Sequence, residues 1–166
     1  MANLVTIDPQ LPLTAEQWAP ESRARVWRSR PAELLENEAD SKEIAAAITD
    51  ELRGQIREAH GGLGRELLTA AADERFEDAL TVALGRYLGL TAGSWTPEAR
   101  AEWQNIAVDE LMEYPLSMLL PAIKRATRSQ PWPNKFVPAI VEELEPRLAR
   151  LKDEMERLEK LMELAE

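Results

Sequence analysis

The sequence predicts an all-α protein built as a compact bundle of six or seven helices. Apolar residues recur at helical spacing, as in Ile44, Ile48, Leu52 and Ile56. Helix-start signatures precede such runs, as in Thr96-Pro97-Glu98. The last segment carries an apolar seam with alternating steps of four and three residues. With 166 residues, of which 45% are apolar, the chain is long enough for one self-sufficient core.

The N-terminal segment divides into an arm and the start of a helical domain. Residues 1–13 lack periodicity and are predicted to form an extended arm. Thr14-Ala15-Glu16-Gln17 has the form of a capping box, which predicts a short helix after it and opens a helical domain over 14–145. A second short helix is expected over 21–30. The domain is followed by an amphipathic, coiled-coil-like helix over 146–166.

Two longer helices are expected in the first half of the domain. Asp40 and Glu43 form a second capping signature. The helix that follows them is expected to end at His60-Gly61-Gly62, because glycine is favoured just past a helix C-terminus. A further helix is predicted over 65–88, and residues 89–94 are predicted to form a loop.

The second half of the domain carries clearer boundary signals. The helix that begins near Thr96 is expected to end at Tyr114-Pro115, since the residue before a proline is disfavoured in a helix. Another helix is predicted over 116–129. Pro131-Trp132-Pro133 then predicts a rigid, extended elbow that exposes an aromatic side chain. A short helix should follow over 136–144.

The apolar faces of these helices define the predicted core. Its expected members are Ile48, Leu52, Leu68, Phe76, Leu80, Trp103, Ile106, Leu111, Leu120, Ile123, Ile140 and Leu144. The opposite faces are left for solvent or for partners.

The C-terminal seam begins where Pro146 is expected to kink or restart the helix. Its residues are Leu144, Leu148, Leu151, Met155, Leu158, Met162 and Ala165. In a parallel homodimer the flanking positions would pair Arg147 with Lys152. They would also pair Glu154 with Glu159, and both pairs repel. The sequence therefore disfavours a parallel zipper, while folding back on the domain, antiparallel or heterotypic pairing, and an ordinary amphipathic helix all stay open.

The composition excludes several classes of site. There is no cysteine, so no disulfide, zinc-thiolate site or cysteine nucleophile exists. Met1–Gln10 lacks the charge and apolar run of a signal peptide, and no apolar stretch reaches the ~18 residues that span a bilayer. We therefore expect a cytoplasmic protein without membrane contact.

The sequence also gives no sign of catalysis. His60 is the only imidazole, and no partner is suggested by its spacing. Gly61-Gly62-Leu63-Gly64 lacks the Lys-Ser/Thr ending of a phosphate loop, and no metal motif occurs. The acidic cluster at 142–145 is typical of solvated surface. We predict a protein that is not an enzyme, with no catalytic residue, metal or cofactor.

A basic island interrupts the acidic chain, whose net charge is −10. Residues 116–135 contain four basic residues and no acidic one. Basic side chains beside an exposed aromatic suit nucleic-acid phosphates and bases, or an acidic protein surface, including this protein's own. An equal alternative is a core tryptophan beside a solvated helix face. The main binding candidates are Lys124, Arg125, Arg128, Trp132 and Lys135.

Two weaker sets of binding candidates lie near the ends of the chain. The first is a basic-aromatic patch that nearby glutamates, Glu33 and Glu36 among them, are placed to neutralise. Its members are Arg23, Arg25, Trp27 and Arg28. The second set lies on the C-terminal seam and consists of Leu151, Met155, Leu158 and Met162.

One segment resembles a known family. Trp103-Gln104-Asn105-Ile106 leads to Tyr114-Pro115, then to Leu119-Leu120-Pro121-Ala122-Ile123, and the segment closes with Trp132-Pro133 and the short helix to Ile140. This layout, over about residues 95–145, resembles the phage replicative-helicase loader/inhibitor family. The resemblance implies a helical domain that delivers or restrains a hexameric replicative helicase without nucleotide chemistry. Trp103 and Trp132-Pro133 match as structural landmarks. The helical segment before the motif and the heptad helix after it depart from the family.

These observations favour a phage-type accessory protein that binds a replication machine, most sharply as a helicase loader or inhibitor. One alternative is an acidic phage-type inhibitor, such as an anti-CRISPR or other anti-defence protein, whose acidic residues 36–115 occupy a basic nucleic-acid-binding groove. A second alternative is a helical assembly adaptor built around the seam. The expected partner is a protein, with nucleic acid as a weaker expectation, and homo-oligomerisation stays open.

Overall fold

The computed structural model describes residues 20–166, which form eight α-helices. They are α1 (Pro20–Trp27), α2 (Arg30–Glu36), α3 (Ser41–Ala47), α4 (Asp50–Glu66), α5 (Glu74–Thr91), α6 (Pro97–Leu111), α7 (Leu116–Ser129) and α8 (Pro133–Ala165). The predicted all-α class is confirmed, with more helices than expected. Among these residues, extended pairing is limited to one isolated bridge between Thr69 and Pro115. The predicted arm over 1–13 and the capping box at Thr14 lie outside the described residues.

The described chain divides into two units. The first unit comprises Leu67–Ala149, in which α5 packs against α6, α7 and a 3₁₀ turn at Ala70–Ala72. The second unit comprises residues 20–66 together with Arg150–Glu166, and α1 packs against α4 in it. Helix α8 supplies residues to both units. No described helix combines the length and the apolar character needed to cross a membrane.

The helix predicted behind Asp40 is broken into α3 and α4. Asp40 caps α3 as expected, because its side chain accepts a hydrogen bond from the Lys42 N–H. The break comes at Ile48, whose backbone is extended, and Thr49 then accepts from the Leu52 N–H at 3.2 Å. A threonine hydroxyl that accepts a hydrogen bond from the backbone N–H three residues later is a helix N-cap. Thr49 therefore starts a new helix.

The predicted helix end at His60-Gly61-Gly62 is wrong, because α4 continues to Glu66. Each glycine inside a helix costs about 1 kcal/mol relative to alanine. Helix α4 is nevertheless held by a partner, the part of α8 that belongs to the same unit. The Cε of Met155 lies 3.4 Å from the position of a Cβ on Gly64, and His60 Nε2 lies 3.7 Å from a Glu159 carboxylate oxygen. Tertiary packing therefore overrides the local turn signal.

The contacts between α4 and the end of α8 have an antiparallel register. Gly64 faces Met155, and His60 faces Glu159. Later residues of α4 therefore contact earlier residues of α8. Nearer the C-terminus, Met162 lines a shallow depression together with side chains of α4. The contacting residues are spaced about one helical turn apart on both helices. The two segments therefore lie side by side over about three turns.

We predict that Gly61→Ala stabilises the protein. Gly61 is exposed, its φ is not positive, and no atom lies within 4 Å of an added Cβ. The free energy of unfolding should therefore rise by about 0.5–1 kcal/mol, measured by urea denaturation. A decrease would instead indicate that the helix ends at Gly61, as the sequence predicts. Gly54→Ala, at another open helical position, should behave in the same way.

The helix predicted over 65–88 begins later than expected. After α4 the backbone pairs with the start of α7, where the Leu116 N–H donates to the Leu68 carbonyl at 3.1 Å. Asp73 then caps α5 by accepting from the Arg75 N–H, and α5 continues to Thr91, into the predicted loop. Leu68 thus lies outside any helix and is 39% exposed, so its assignment to the core is wrong.

The later boundaries follow their sequence signals closely. Thr96 accepts from the Ala99 N–H, and Pro97 occupies the first turn of α6 as predicted. Helix α7 runs from Leu116 to Ser129, and the chain between α7 and Pro133 is not helical, which confirms the elbow. The short helix expected over 136–144 is instead the first part of α8, which begins at Pro133 and does not restart at Pro146.

The core contains most of the predicted residues. Ile48, Leu52, Phe76, Leu80, Leu111, Ile123, Ile140 and Leu144 are buried. Trp103 and Leu120 are half-buried. Ile106 is 54% exposed, so its assignment to the core is wrong. Helix α6 instead buries Ala107, Val108 and Leu111, a face rotated by one residue from the predicted one.

Candidate functional site

The elbow between α7 and α8 is the centre of the candidate site. The Gln130 N–H ends α7 by donating to the Ala126 carbonyl at 2.8 Å. The Trp132 carbonyl accepts from the Lys135 N–H at 3.0 Å in the first turn of α8. Pro131 and Pro133 fix their own φ angles and restrict the residues before them. The backbone on each side of Trp132 therefore has few accessible conformations.

Two side chains from other helices hold the elbow in place. The Tyr87 hydroxyl, from α5, donates to the Gln130 carbonyl at 2.8 Å. The Trp103 Nε1–H, from α6, donates to the Pro133 carbonyl at 3.3 Å. Burial raises the pKa of Tyr87, which keeps its hydroxyl protonated as a donor. These two hydrogen bonds fix the backbone immediately before and after Pro131-Trp132.

An aromatic cluster lies beneath the elbow. The Tyr87 and Phe136 rings stack with centroids 3.7 Å apart and planes 20° apart. Trp103 lies 5.8 Å from Tyr87 and 6.0 Å from Phe136, in tilted arrangements. Tyr87 and Phe136 are fully buried, so the two donors that hold the elbow are themselves fixed by packing.

Trp132 differs sharply from the aromatic residues of this cluster. Its side chain is 63% exposed, although large apolar side chains are ordinarily covered. The alternative that Trp132 packs in the core is therefore wrong. An exposed indole on a fixed backbone offers contact area to a partner at a low entropic cost.

The cations of the basic island are exposed and lie before and after Trp132 in the chain, on α7 and in the first turn of α8. Arg125 forms an ion pair with Glu143, in the acidic cluster of α8. Lys124 and Arg128 are exposed on the outer face of α7, and Lys135 is exposed in the first turn of α8. Within residues 20–166, none of these three has a carboxylate at ion-pair distance. We call Lys124, Arg128, Trp132 and Lys135 the elbow surface.

We predict that Tyr87→Phe loosens the elbow without unfolding the protein. The variant removes only the hydroxyl that donates to Gln130, a loss of about 1 kcal/mol in the free energy of unfolding. Amide hydrogen exchange should accelerate most over residues 129–136. Tyr114→Phe is a matched control, because that hydroxyl donates to Glu145 rather than to the elbow. Equal acceleration in both variants would contradict this role of Tyr87.

The N-terminal basic-aromatic candidates belong to an internal network of the second unit. Arg23 bonds Glu154 with Nε at 3.0 Å and Nη2 at 2.7 Å, and its Nη1 bonds Glu66 at 2.9 Å. The Trp27 indole donates to Glu154 at 2.7 Å, and the guanidinium of Arg157 lies 4.6 Å from the Trp27 ring centroid. Arg23 and Trp27 therefore stabilise the fold rather than form a free patch.

The other secondary candidates have lesser roles. Arg25 is 63% exposed and lies 3.9 Å from Glu21, and Arg28 is also exposed. On the C-terminal seam, Leu158 is fully buried, while Leu151, Met155 and Met162 are half-buried. Leu161, which lies beside the seam, is buried as well. These apolar residues pack within the second unit, in agreement with a helix that folds back.

A second charged feature covers the outer face of α6. Its exposed carboxylates are Glu98, Glu102, Asp109 and Glu110, and exposed Glu113 follows just after the helix end at Leu111. The one basic residue of this helix, Arg100, donates instead to the Trp95 and Gly93 carbonyls. In the described chain, none of the five carboxylates has an ion-pair partner. Helix α6 therefore presents an uninterrupted negative face around exposed Ile106.

His60 and two residues of the acidic cluster contact other protein side chains. Residues 20–166 contain no group of three or more potential metal ligands. His60 lies inside α4 beside Glu159, not at a helix end as predicted. Of the acidic cluster at 142–145, Glu143 pairs with Arg125 and Glu145 accepts from Tyr114, whose pKa rises to about 12 through burial and this hydrogen bond.

Comparison of the chain with protein-family models, with curated proteins and with solved structures found no match.

Proposed function

We propose that this chain is a non-enzymatic accessory protein that engages a nucleic-acid-processing machine through the elbow surface. The observation that carries the proposal is Trp132, which is 63% exposed although Tyr87 and Trp103 fix the backbone around it. A fixed, exposed tryptophan flanked by unpaired cations is typical of an energetic centre of binding.

In its most specific form, the proposal assigns the protein as a loader or inhibitor of a replicative helicase. Its support is the resemblance of residues 95–145 to that family, because the two tryptophan landmarks of this resemblance, Trp103 and Trp132, both lie at the elbow or contact it. Trp103 donates the hydrogen bond that fixes Pro133, and Trp132 projects from the fixed segment. The same segment thus contains both the structural support and the proposed contact residue.

Affinity capture from a bacterial lysate, with and without nuclease, tests the proposal. We expect the wild-type protein to recover a replicative helicase. Trp132→Ala should weaken the affinity for the helicase at least ~30-fold, which is the effect of removing a binding hot spot. Leu90→Ala is the matched control, because Leu90 is 74% exposed in the same unit but lies outside the elbow surface. Capture of the helicase by Trp132→Ala at the wild-type level would refute the role of the elbow.

The acidic face of α6 supports one other function, that of an inhibitor that occupies a basic nucleic-acid-binding groove. Unpaired carboxylates on one helix provide the regular negative charge that such a groove recognises. The paired charge reversal Glu102→Lys with Asp109→Lys distinguishes the two functions. Loss of the captured partner in this variant, with no loss in Trp132→Ala, would favour the inhibitor.

A further inference from the structure

We infer that the elbow surface binds single-stranded nucleic acid, with one base stacked on Trp132 and the adjoining phosphates held by Lys124, Arg128 and Lys135. This inference rests on the proposed function, in which the elbow is the working surface, and adds what that surface contacts. Three features indicate the chemistry of the bound molecule. They are the surroundings of the indole, the placement of the cations and the net charge of the whole chain.

The surroundings of Trp132 suit a stacked base. Protein interfaces bury roughly 800 Å² on each partner around an apolar centre made by several residues, so a protein partner that contacts the elbow must bury further area elsewhere. The other large apolar side chains exposed in the described chain, such as Leu90 and Ile106, lie on α5 and α6 rather than in the elbow. Beside Trp132 stand prolines and cations. A single exposed ring with flanking cations is enough to stack one base and hold its phosphates.

The placement of the cations suits a strand that passes the indole. Lys124 and Arg128 are one helical turn apart on the exposed face of α7, about 6 Å along the axis. That separation spans between one and two of the ~3.4 Å steps of a nucleic-acid strand. Lys135 lies one turn beyond Trp132. Positive charge therefore lies on both sides of Trp132 along the chain.

The acidity of the remainder of the chain determines which nucleic acid fits. A chain of net charge −10 repels a duplex over any wide contact, so attraction is confined to the elbow. Stacking on Trp132 also requires a base that is not already stacked inside a helix. Both effects select a single strand. Three phosphate contacts predict a slope of about −2 for log K against log salt concentration.

The experiment measures fluorescence anisotropy of a labelled oligothymidylate of about twelve nucleotides at low and moderate salt. We expect wild-type binding with the slope given above, and a Kd raised about 5- to 100-fold in Trp132→Ala. Lys124→Glu with Arg128→Glu should abolish binding. Arg150→Glu with Lys160→Glu alters net charge equally at exposed sites outside the elbow, and it should bind nearly as well as wild type. Circular dichroism verifies folding of each variant.

Four results would overturn the inference. Undiminished binding by Trp132→Ala would exclude stacking, and equal losses in the two charge-reversal variants would indicate a non-specific charge effect. Displacement of the oligonucleotide by polyglutamate at equal charge concentration would assign the surface to an acidic protein segment. If no oligonucleotide binds while Trp132→Ala still loses the helicase, the inference fails and the proposed function stands.

Discussion

Phe136→Ala is expected to lower the free energy of unfolding of the first unit by about 3–5 kcal/mol, the cost of deleting a buried phenylalanine. Phe136 is fully buried and stacks on Tyr87 with a 3.7 Å centroid separation. The substitution leaves a cavity beneath the elbow, and Tyr87 and Trp103 lose the ring that holds them in position. Urea denaturation, followed by hydrogen exchange of α5 and α6 amides, measures the loss.

Two variants calibrate this result. Phe136→Leu retains most of the apolar volume and should cost roughly half as much. Ile106→Ala removes a side chain that is 54% exposed and should alter the free energy by about 0.5 kcal/mol or less. A loss below 1 kcal/mol in Phe136→Ala would show that the aromatic cluster does not organise this unit.

Arg23→Met is expected to destabilise the second unit by about 3–5 kcal/mol, because it breaks a largely buried ion-pair network at its centre. The guanidinium donates hydrogen bonds to both carboxylate oxygens of Glu154. It also forms an ion pair with Glu66, whose side chain is only 5% exposed. Methionine fills similar space but leaves these two carboxylates without the cation. Hydrogen exchange over α1 and α4 measures the effect locally, which matters because two units need not unfold together.

The exposed pair on the same helix provides the control for Arg23→Met. Arg25 is 63% exposed and 3.9 Å from Glu21, so Arg25→Met should alter the free energy of unfolding by less than about 0.5 kcal/mol. Equal effects of the two substitutions would contradict a structural role for the network.

The network also predicts how acid affects the second unit. Burial alone would raise the pKa of Glu154, but hydrogen bonds from Arg23 and Trp27 and the charge of Arg23 outweigh it and hold this pKa below its ordinary value of 4.5. A lowered pKa in the folded state gives stability that is complete above pH 4.5 and is lost as the pH falls through the folded-state pKa. Glu154→Gln should weaken this acid dependence.

Local signals in the sequence predicted the local features of the structure. Thr96-Pro97 begins a helix, and Pro131-Trp132-Pro133 interrupts one, because a capping hydroxyl and a proline ring act on the backbone within a few residues. The exposed cations of α7 were identifiable for the same reason. The exposure of Trp132 was one of two alternatives that the sequence left equal.

Features that depend on distant partners were not predictable in this way. Gly61 indicates a turn by itself, but α4 continues through it because a segment nearly a hundred residues later packs alongside. The hydrogen bonds of Tyr87 and Trp103 to the elbow join residues at least 30 positions apart. The ion pair of Arg23 was not predictable for the same reason, because its partner Glu154 lies 131 positions away. The spacing of residues in the sequence does not indicate such long-range pairs.

The division of the chain into units has a consequence for the order in which the protein matures on the ribosome. Among the described residues, the first unit is one continuous stretch, Leu67–Ala149, whose helices can pack as soon as that stretch has emerged. The described part of the second unit begins earlier in the chain but needs Arg150–Glu166 to cover α4. During translation, α1 and α4 thus emerge first and are completed last, and their apolar faces stay accessible to chaperones until the final turns of α8 are made.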